Sequence, residues 1–146
     1  PDGMIGDNLE NFGTDIDGSL GTVPGLDPTN PAASAMAKIG EANGFAGGDA
    51  FVGESYDAAA LMLLAMASAK SSDPQVYKDH IMKVANGTGE KIYPGELAKG
   101  IKLASYGVAI DYVGASSVSL IGPGEAAGNF REIQIQNGKM VDVNYR

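Results

Sequence analysis

The chain has 146 residues, a net charge of −8 and no cysteine, and 44% of its residues are hydrophobic. This hydrophobic content excludes a disordered acidic tail and allows a sizeable core. The acidic balance argues against binding to nucleic acid or to an anionic membrane surface, because both need clustered Lys and Arg. Without cysteine there is no disulfide and no thiolate zinc site, and we predict no metal and no other cofactor.

The N-terminal third of the sequence alternates helical and extended patterns. Residues 5–12 have apolar positions at helical spacing, and the acidic cluster of Asp15 and Asp17 that follows is predicted to be a solvated loop. Residues 20–23 predict a short strand, followed by a Pro- and Gly-rich loop. Pro31–Asn43 predicts a helix, because proline suits its first turn and one face is apolar.

The next helix, predicted over residues 55–69, carries "YDAAALMLLAMASA" with apolar residues all round. Ser55 is its predicted N-cap. A helix without a polar face is expected to be buried by neighbours on several sides, so this helix is predicted to be central.

Two further helices are predicted over residues 74–86 and 95–106. Asp73 supplies the N-cap of the first, and Pro74 suits its first turn.

Towards the C-terminus the apolar period falls to two, which predicts strands near residues 108–112 and 118–120 and a closing hairpin over residues 130–146. For the hairpin we predict a three-residue turn at residues 136–138, because it pairs Ile133 with Val141 and gives one apolar face. Helices that alternate with short strands indicate an α/β fold.

The sequence offers little catalytic chemistry. His80 is the only histidine, and with no cysteine and no serine in a nucleophile-elbow context a hydrolytic triad cannot be assembled, so no catalytic residue is predicted. A pair of carboxylates acting as acid and base stays open. Asp2, on a turn with Gly3 ahead of a helix, either caps that helix or faces a cleft. Tyr56 either packs in the core or lines a pocket.

An ordered set of stretches resembles one family: "DGM", "GSLGTVPGLDP", "FVGESYDAAALMLLAMASA", "GEKIYPGELAKGIKLASYG", "IDYVGAS" and "NFREIQIQNGKMV". They are similar to the C-terminal portion of type I periplasmic solute-binding proteins, in the branch of branched-chain amino-acid (Leu/Ile/Val) ABC transporters. The resemblance implies a fragment of a two-lobed α/β protein with three-layer αβα lobes and three crossovers, ending in a hairpin. The family usually has glycine at the position of Ser117.

The family layout implies three segments. Residues 1–50 and 113–146 would belong to the second lobe, the latter including a crossover and the C-terminal hairpin, and residues 51–112 would belong to the first lobe. A fragment of this kind is expected to self-associate through its exposed apolar faces.

The resemblance also implies a function and a site. It implies an extracytoplasmic, periplasmic component of an ABC importer that binds a branched-chain or similar amino acid and delivers it to the permease subunits in the membrane. Asp2, with Gly3, matches the position that receives the ligand's ammonium group, and Tyr56 matches a tyrosine of the side-chain pocket. A ligand-sensing regulatory domain of the same fold and, less favoured, an enzyme with a carboxylate pair are the alternatives.

Overall fold

In the computed structural model, the structure is described for residues 7–122 and 124–146. It begins with a 3₁₀ helix, Asp7–Phe12, at the end of the first predicted helix. The α-helices are α1 (Pro31–Asn43), α2 (Val52–Ala69), α3 (Pro74–Ala85) and α4 (Leu97–Ser105). The strands are β1 (Leu20–Pro24), β2 (Glu90–Ile92), β3 (Ile110–Tyr112), β4 (Ser119–Gly122), β5 (Glu125–Ala127), β6 (Phe130–Gln136) and β7 (Lys139–Tyr145).

The strands form three small sheets. β2 and β3 pair in parallel, and β4 and β5 form an antiparallel hairpin. The third sheet, which we call the terminal sheet, is antiparallel and has the order β1-β6-β7. The predicted α/β class and the C-terminal hairpin are therefore confirmed.

The main core lies among α2, α3, α4, β2 and β3. These elements, together with β4 and β5, lie within residues 52–127, which we call the helical unit. Leu64 on α2, Ile92 on β2 and Tyr112 on β3 are almost completely buried. The Asp73 carboxylate accepts the backbone N–H of Gln75 at 2.9 Å, which confirms the predicted cap of α3. This unit supplies most of the large buried side chains in the described residues.

The predicted start and surroundings of α2 are wrong. The helix begins at Val52 after Phe51, whose φ is 67°, and Ser55 makes an ordinary helical bond to Phe51 instead of a cap. Met62 and Leu63 are exposed because, among residues 7–122 and 124–146, nothing covers that face of the helix. The central position of α2 is nevertheless confirmed by its packing on α3 and α4.

The predicted turn of the closing hairpin is also wrong. Gln136 pairs with Lys139, so the turn has two residues, Asn137 and Gly138, with φ of 54° and 71°. Two positive φ angles define a type I′ turn, which matches the twist of the strands. Ile133 therefore pairs with Asp142 and lies on the opposite face from Val141, which is exposed.

Asp17 explains part of that difference. Its carboxylate accepts the backbone N–H groups of Asn137 and Gly138 at 2.9 and 2.8 Å. These two bonds hold the tip of the hairpin against the loop before β1. The prediction that this acidic cluster is only a solvated loop is therefore wrong for Asp17.

Candidate functional site

A buried carboxylate lies at the junction between the helical unit and the terminal sheet. Asp57, on the second turn of α2, is only 2% exposed. Its Oδ1 accepts the hydroxyl of Tyr112 at 2.8 Å and the N–H of Ala115 at 2.6 Å. Its Oδ2 accepts both the N–H and the hydroxyl of Ser116, at 2.8 and 2.6 Å. Four neutral donors thus solvate the charge, as a carboxylate removed from water requires.

The loop "YVGAS" after β3 has the backbone shape that this arrangement needs. Gly114 has a φ of 67°, and a Cβ at this position would lie 2.5 Å from Oδ1 of Asp57. Only glycine satisfies both the left-handed backbone and the close approach. The next left-handed residue is Ser117, at a φ of 53°. That angle is a physical reason for the glycine that the resembling family usually has at this position.

Burial and the neighbouring negative charge of Asp57 raise the pKa of Tyr112 far above its ordinary value. The phenol therefore keeps its proton and donates it to the hydrogen bond with the carboxylate. The arrangement is one of structure and positioning.

Hydrogen bonds continue from this carboxylate to the terminal sheet. The carbonyl of Ser116 accepts Nδ2 of Asn129 at 2.9 Å, and the carbonyl of Asn129 accepts the N–H of Gly25 at 3.1 Å. Asn30 donates from Nδ2 to the hydroxyl of Ser117 at 3.3 Å. The residues before α1 and before β6 are thus tied to the loop that surrounds Asp57.

Two cavities flank this junction, and Pro24, Glu54 and Ser116 line both. The first has a volume of about 320 Å³ and contains polar groups from the terminal sheet. Nη1 of Arg131 forms a salt bridge with Oδ2 of Asp142 at 3.2 Å. The hydroxyl of Tyr145 donates to the same oxygen at 3.2 Å.

The second cavity, of about 340 Å³, is lined mainly by apolar side chains. Leu61 of α2, Leu120 of β4 and Phe130 of β6 contribute to its wall. The two cavities therefore differ in polarity although they share one wall.

Of the three predicted site residues, the structure describes only Tyr56. Asp2 and Gly3 lie outside the described residues. Tyr56 is half-buried against the core of the helical unit, and its hydroxyl accepts the N–H of Gly95 at 3.2 Å. Tyr56 is not among the residues that line the two cavities.

Sequence reasoning missed Asp57 as a structural centre. The available signal was an acidic residue inside an otherwise apolar helix, since such a charge needs buried partners. Within the described residues, no group of three or more His, Cys, Asp or Glu side chains could hold a metal ion. None of the described helices is long and apolar enough to cross a membrane.

The fold matches part of the type I periplasmic-binding-protein fold. It aligns with the solved structure of the leucine-binding protein LivK from Thermotoga maritima, with a TM-score of 0.61 and 21% sequence identity. The alignment covers 94% of this chain and 33% of LivK, so the chain spans about a third of the length of that protein. No protein-family model and no curated protein matches the sequence.

Proposed function

We propose that this chain is part of an extracytoplasmic solute-binding protein that binds a branched-chain or similar amino acid without chemical conversion. The observation that carries the proposal is the structural match to LivK over 94% of the chain. LivK is described as a leucine-binding protein, and a shared fold supports a related function only as a hypothesis. Because the chain corresponds to a third of LivK, the complete activity would belong to a longer protein.

The helical unit and the terminal sheet are proposed to belong to the two lobes of that protein. The predicted segments 1–50, 51–112 and 113–146 stay a prediction, and they differ from this division because residues 113–127 are part of the helical unit, where Val118 and Leu120 pack on its core. The ligand would lie between the lobes and would be enclosed when they close by a hinge motion.

Asp2, Gly3 and Tyr56 remain the proposed ligand-binding residues. A carboxylate at Asp2 would receive the ligand's ammonium group, since a charge-assisted hydrogen bond contributes about 1.5–3 kcal/mol. The ring of Tyr56 would contact the ligand side chain while Gly95 holds its hydroxyl. That bond fixes the orientation of the ring and lowers the entropy lost on binding.

Isothermal titration of the longer protein with leucine, isoleucine and valine tests the site. We expect Tyr56→Ala to weaken binding about tenfold, because burying an aromatic side chain contributes about 1.5 kcal/mol or more. Tyr56→Phe keeps the ring but loses the bond from Gly95, so its binding is expected to lie between that of the parent and that of Tyr56→Ala. Tyr106→Ala is the control, since Tyr106 is 75% exposed.

Asp2→Asn removes the proposed charge and is expected to weaken binding about 10- to 100-fold. Unchanged affinity in this variant would remove Asp2 from the site. Failure of all three amino acids to bind the parent would contradict the proposed ligand class.

Delivery to ABC permease subunits and a periplasmic location complete the proposal. Fractionation of cells that express the tagged longer protein is expected to recover it with the periplasmic contents. Recovery with the cytoplasm would contradict the location and, with it, the role in import.

We also propose that the chain by itself self-associates. The outer face of the terminal sheet exposes Leu20, Val141 and Val143, and side chains of this kind are normally covered. Light scattering of the purified chain is expected to give a mass above that of the 14.9 kDa monomer. A monomer at all concentrations would contradict this point.

A further inference from the structure

The helical unit and the terminal sheet are joined by two chain connections that lie next to each other. Pro24, where β1 ends, pairs with Phe130, where β6 begins, so both chain connections leave the sheet side by side. In the described residues, no helix or strand of the helical unit packs extensively on β1, β6 or β7. Hydrogen bonds at the connections can therefore fix the relative orientation of the two parts.

One series of hydrogen bonds connects the terminal sheet to the helical unit at this junction. Gly25 donates to the carbonyl of Asn129, which joins the two connections to each other. Asn129 donates from Nδ2 to the carbonyl of Ser116, and Ser116 donates twice to the buried carboxylate of Asp57. The series therefore starts in the loops of the terminal sheet and ends on α2.

We infer that Asp57, Ser116 and Asn129 form a hinge lock, in which the buried carboxylate is the fixed anchor and the Asn129–Ser116 bond is the tie that sets the orientation of the terminal sheet. Asp57 is almost completely buried, and its four hydrogen bonds hold the loop firmly. Asn129 contributes one side-chain bond across the junction, and its removal leaves the anchor intact.

The two cavities explain why hydrogen bonds, and not side-chain packing, set the orientation of the terminal sheet. Both are lined by Pro24, Glu54 and Ser116 of the junction, and they measure about 320 and 340 Å³. Close-packed interfaces resist movement because atoms fill the space between them. Here the cavities leave room at the junction, so the orientation depends on the tie.

A second tie is weaker. Asn30 reaches the hydroxyl of Ser117 at 3.3 Å, compared with 2.9 Å for the bond from Asn129 to Ser116. Ser117 holds a left-handed backbone, which a non-glycine residue adopts at a cost. We therefore assign the main tie to Asn129.

Distance measurement between the two parts tests the lock. The chain has no cysteine, so a spin-label pair can be introduced as Lys78→Cys on α3 and Lys139→Cys on β7. Pulsed electron–electron double resonance on the whole chain, diluted with unlabelled protein so that labels on self-associated copies do not contribute, reports the distribution of the distance between the two labels. The parent is expected to give one narrow distribution, and Asn129→Ala one about twofold wider, because several orientations become populated.

Two further variants make the result specific. Asn129→Asp has the same shape but cannot donate to the Ser116 carbonyl, so it is expected to widen the distribution in the same way. Asn86→Ala is the control, because Asn86 makes its two side-chain bonds to Leu120 within the helical unit. It is expected to leave the distribution unchanged.

Unaltered distributions in both Asn129 variants would overturn the inference, as would equal widening in Asn86→Ala. Circular dichroism on the same samples establishes that the helices are intact, so that a wide distribution reports orientation and not unfolding. An Asn129 variant that lost its helices would assign Asn129 to the stability of the helical unit and would also overturn the hinge lock.

Discussion

The helical unit and the terminal sheet bury their apolar residues very differently. In the helical unit, Leu64 and Ile92 are 0% exposed and the surrounding helices close the core. In the terminal sheet, Ile133 and Ile135 are buried on one face, whereas Leu20 on the other face is 77% exposed. Burial of apolar surface is the main favourable contribution to folding, so the helical unit is expected to hold most of the stability.

This difference also indicates which part depends on its surroundings. A three-stranded sheet with one apolar face covered is near the lower limit of independent stability. The terminal sheet is held by the 3₁₀ helix beside β7, by Asp17 at the hairpin turn and by the tie at Asn129. The following predictions test the comparison, starting with the change that should disturb the protein most.

Gly114→Ala is expected to destabilise the helical unit by about 3–5 kcal/mol, because it adds backbone strain and a clash with the Asp57 carboxylate. Gly107→Ala is the control: Gly107 has a φ of 76°, but a Cβ there would meet nothing within 4 Å. Strain alone should cost about 1 kcal/mol there. Urea denaturation followed by far-UV circular dichroism measures both, and equal losses would contradict the role assigned to the close approach.

Leu64→Ala is expected to lower the free energy of unfolding by about 3 kcal/mol, because it leaves a cavity in a core that is completely closed. The matched change in the terminal sheet is Val143→Ala, at a position 49% exposed, which should cost less than about 0.5 kcal/mol. The same denaturation experiment compares them. A loss at Val143 as large as that at Leu64 would show that the two parts share one core.

Local patterns in the sequence predicted most of the α-helices. The bounds of α1 were predicted as the structure has them, and α3 with its cap at Asp73 ends within one residue of the prediction. Proline, an N-cap and one apolar face act over a few residues, so they can be recognised without tertiary information. β2 and β5 were not predicted, since each is three residues long and is defined by its partner strand.

The junction could not be predicted because its contacts join distant positions. Asp57 and Ser116 are 59 residues apart, and nothing near Asp57 in the sequence indicates this partner. The predicted three-residue turn at Asn137 is wrong because apolar residues lie on both faces of the terminal sheet. The structure leaves Val141 exposed on the other face and binds the turn through Asp17. The roles of Asp2, Gly3 and Tyr56 stay predictions.

Tyr112→Phe is expected to cost about 2 kcal/mol at neutral pH, because Asp57 loses one of its four buried donors. The cost should shrink above pH 10. The pKa of Tyr112 is raised in the folded state from its ordinary value of 10.0, so above that pH the unfolded chain loses this proton while the folded chain keeps it. The stabilising contribution of Tyr112 is therefore complete below pH 10 and falls by about 1.4 kcal/mol per pH unit above it.

Urea denaturation of the parent and of Tyr112→Phe at several pH values between 7 and 11 measures this change as a difference, in which the other tyrosines cancel. A difference that stayed constant up to pH 11 would contradict the burial of the phenol. Tyr106→Phe is the control, since Tyr106 is exposed.

Asp17→Ala is expected to have the smallest effect, and its effect should be confined to the terminal sheet. It removes the acceptor for the N–H groups of Asn137 and Gly138, which should weaken the hairpin by about 1 kcal/mol. Hydrogen exchange at the Gly138 amide is then expected to be about five- to tenfold faster, while amides of α2 exchange as in the parent. Asp15→Ala, at an exposed position of the same loop, is the control. Equal acceleration in α2 and at Gly138 would mean that the two parts open together, and the distinction between a self-sufficient helical unit and a dependent terminal sheet would then be wrong.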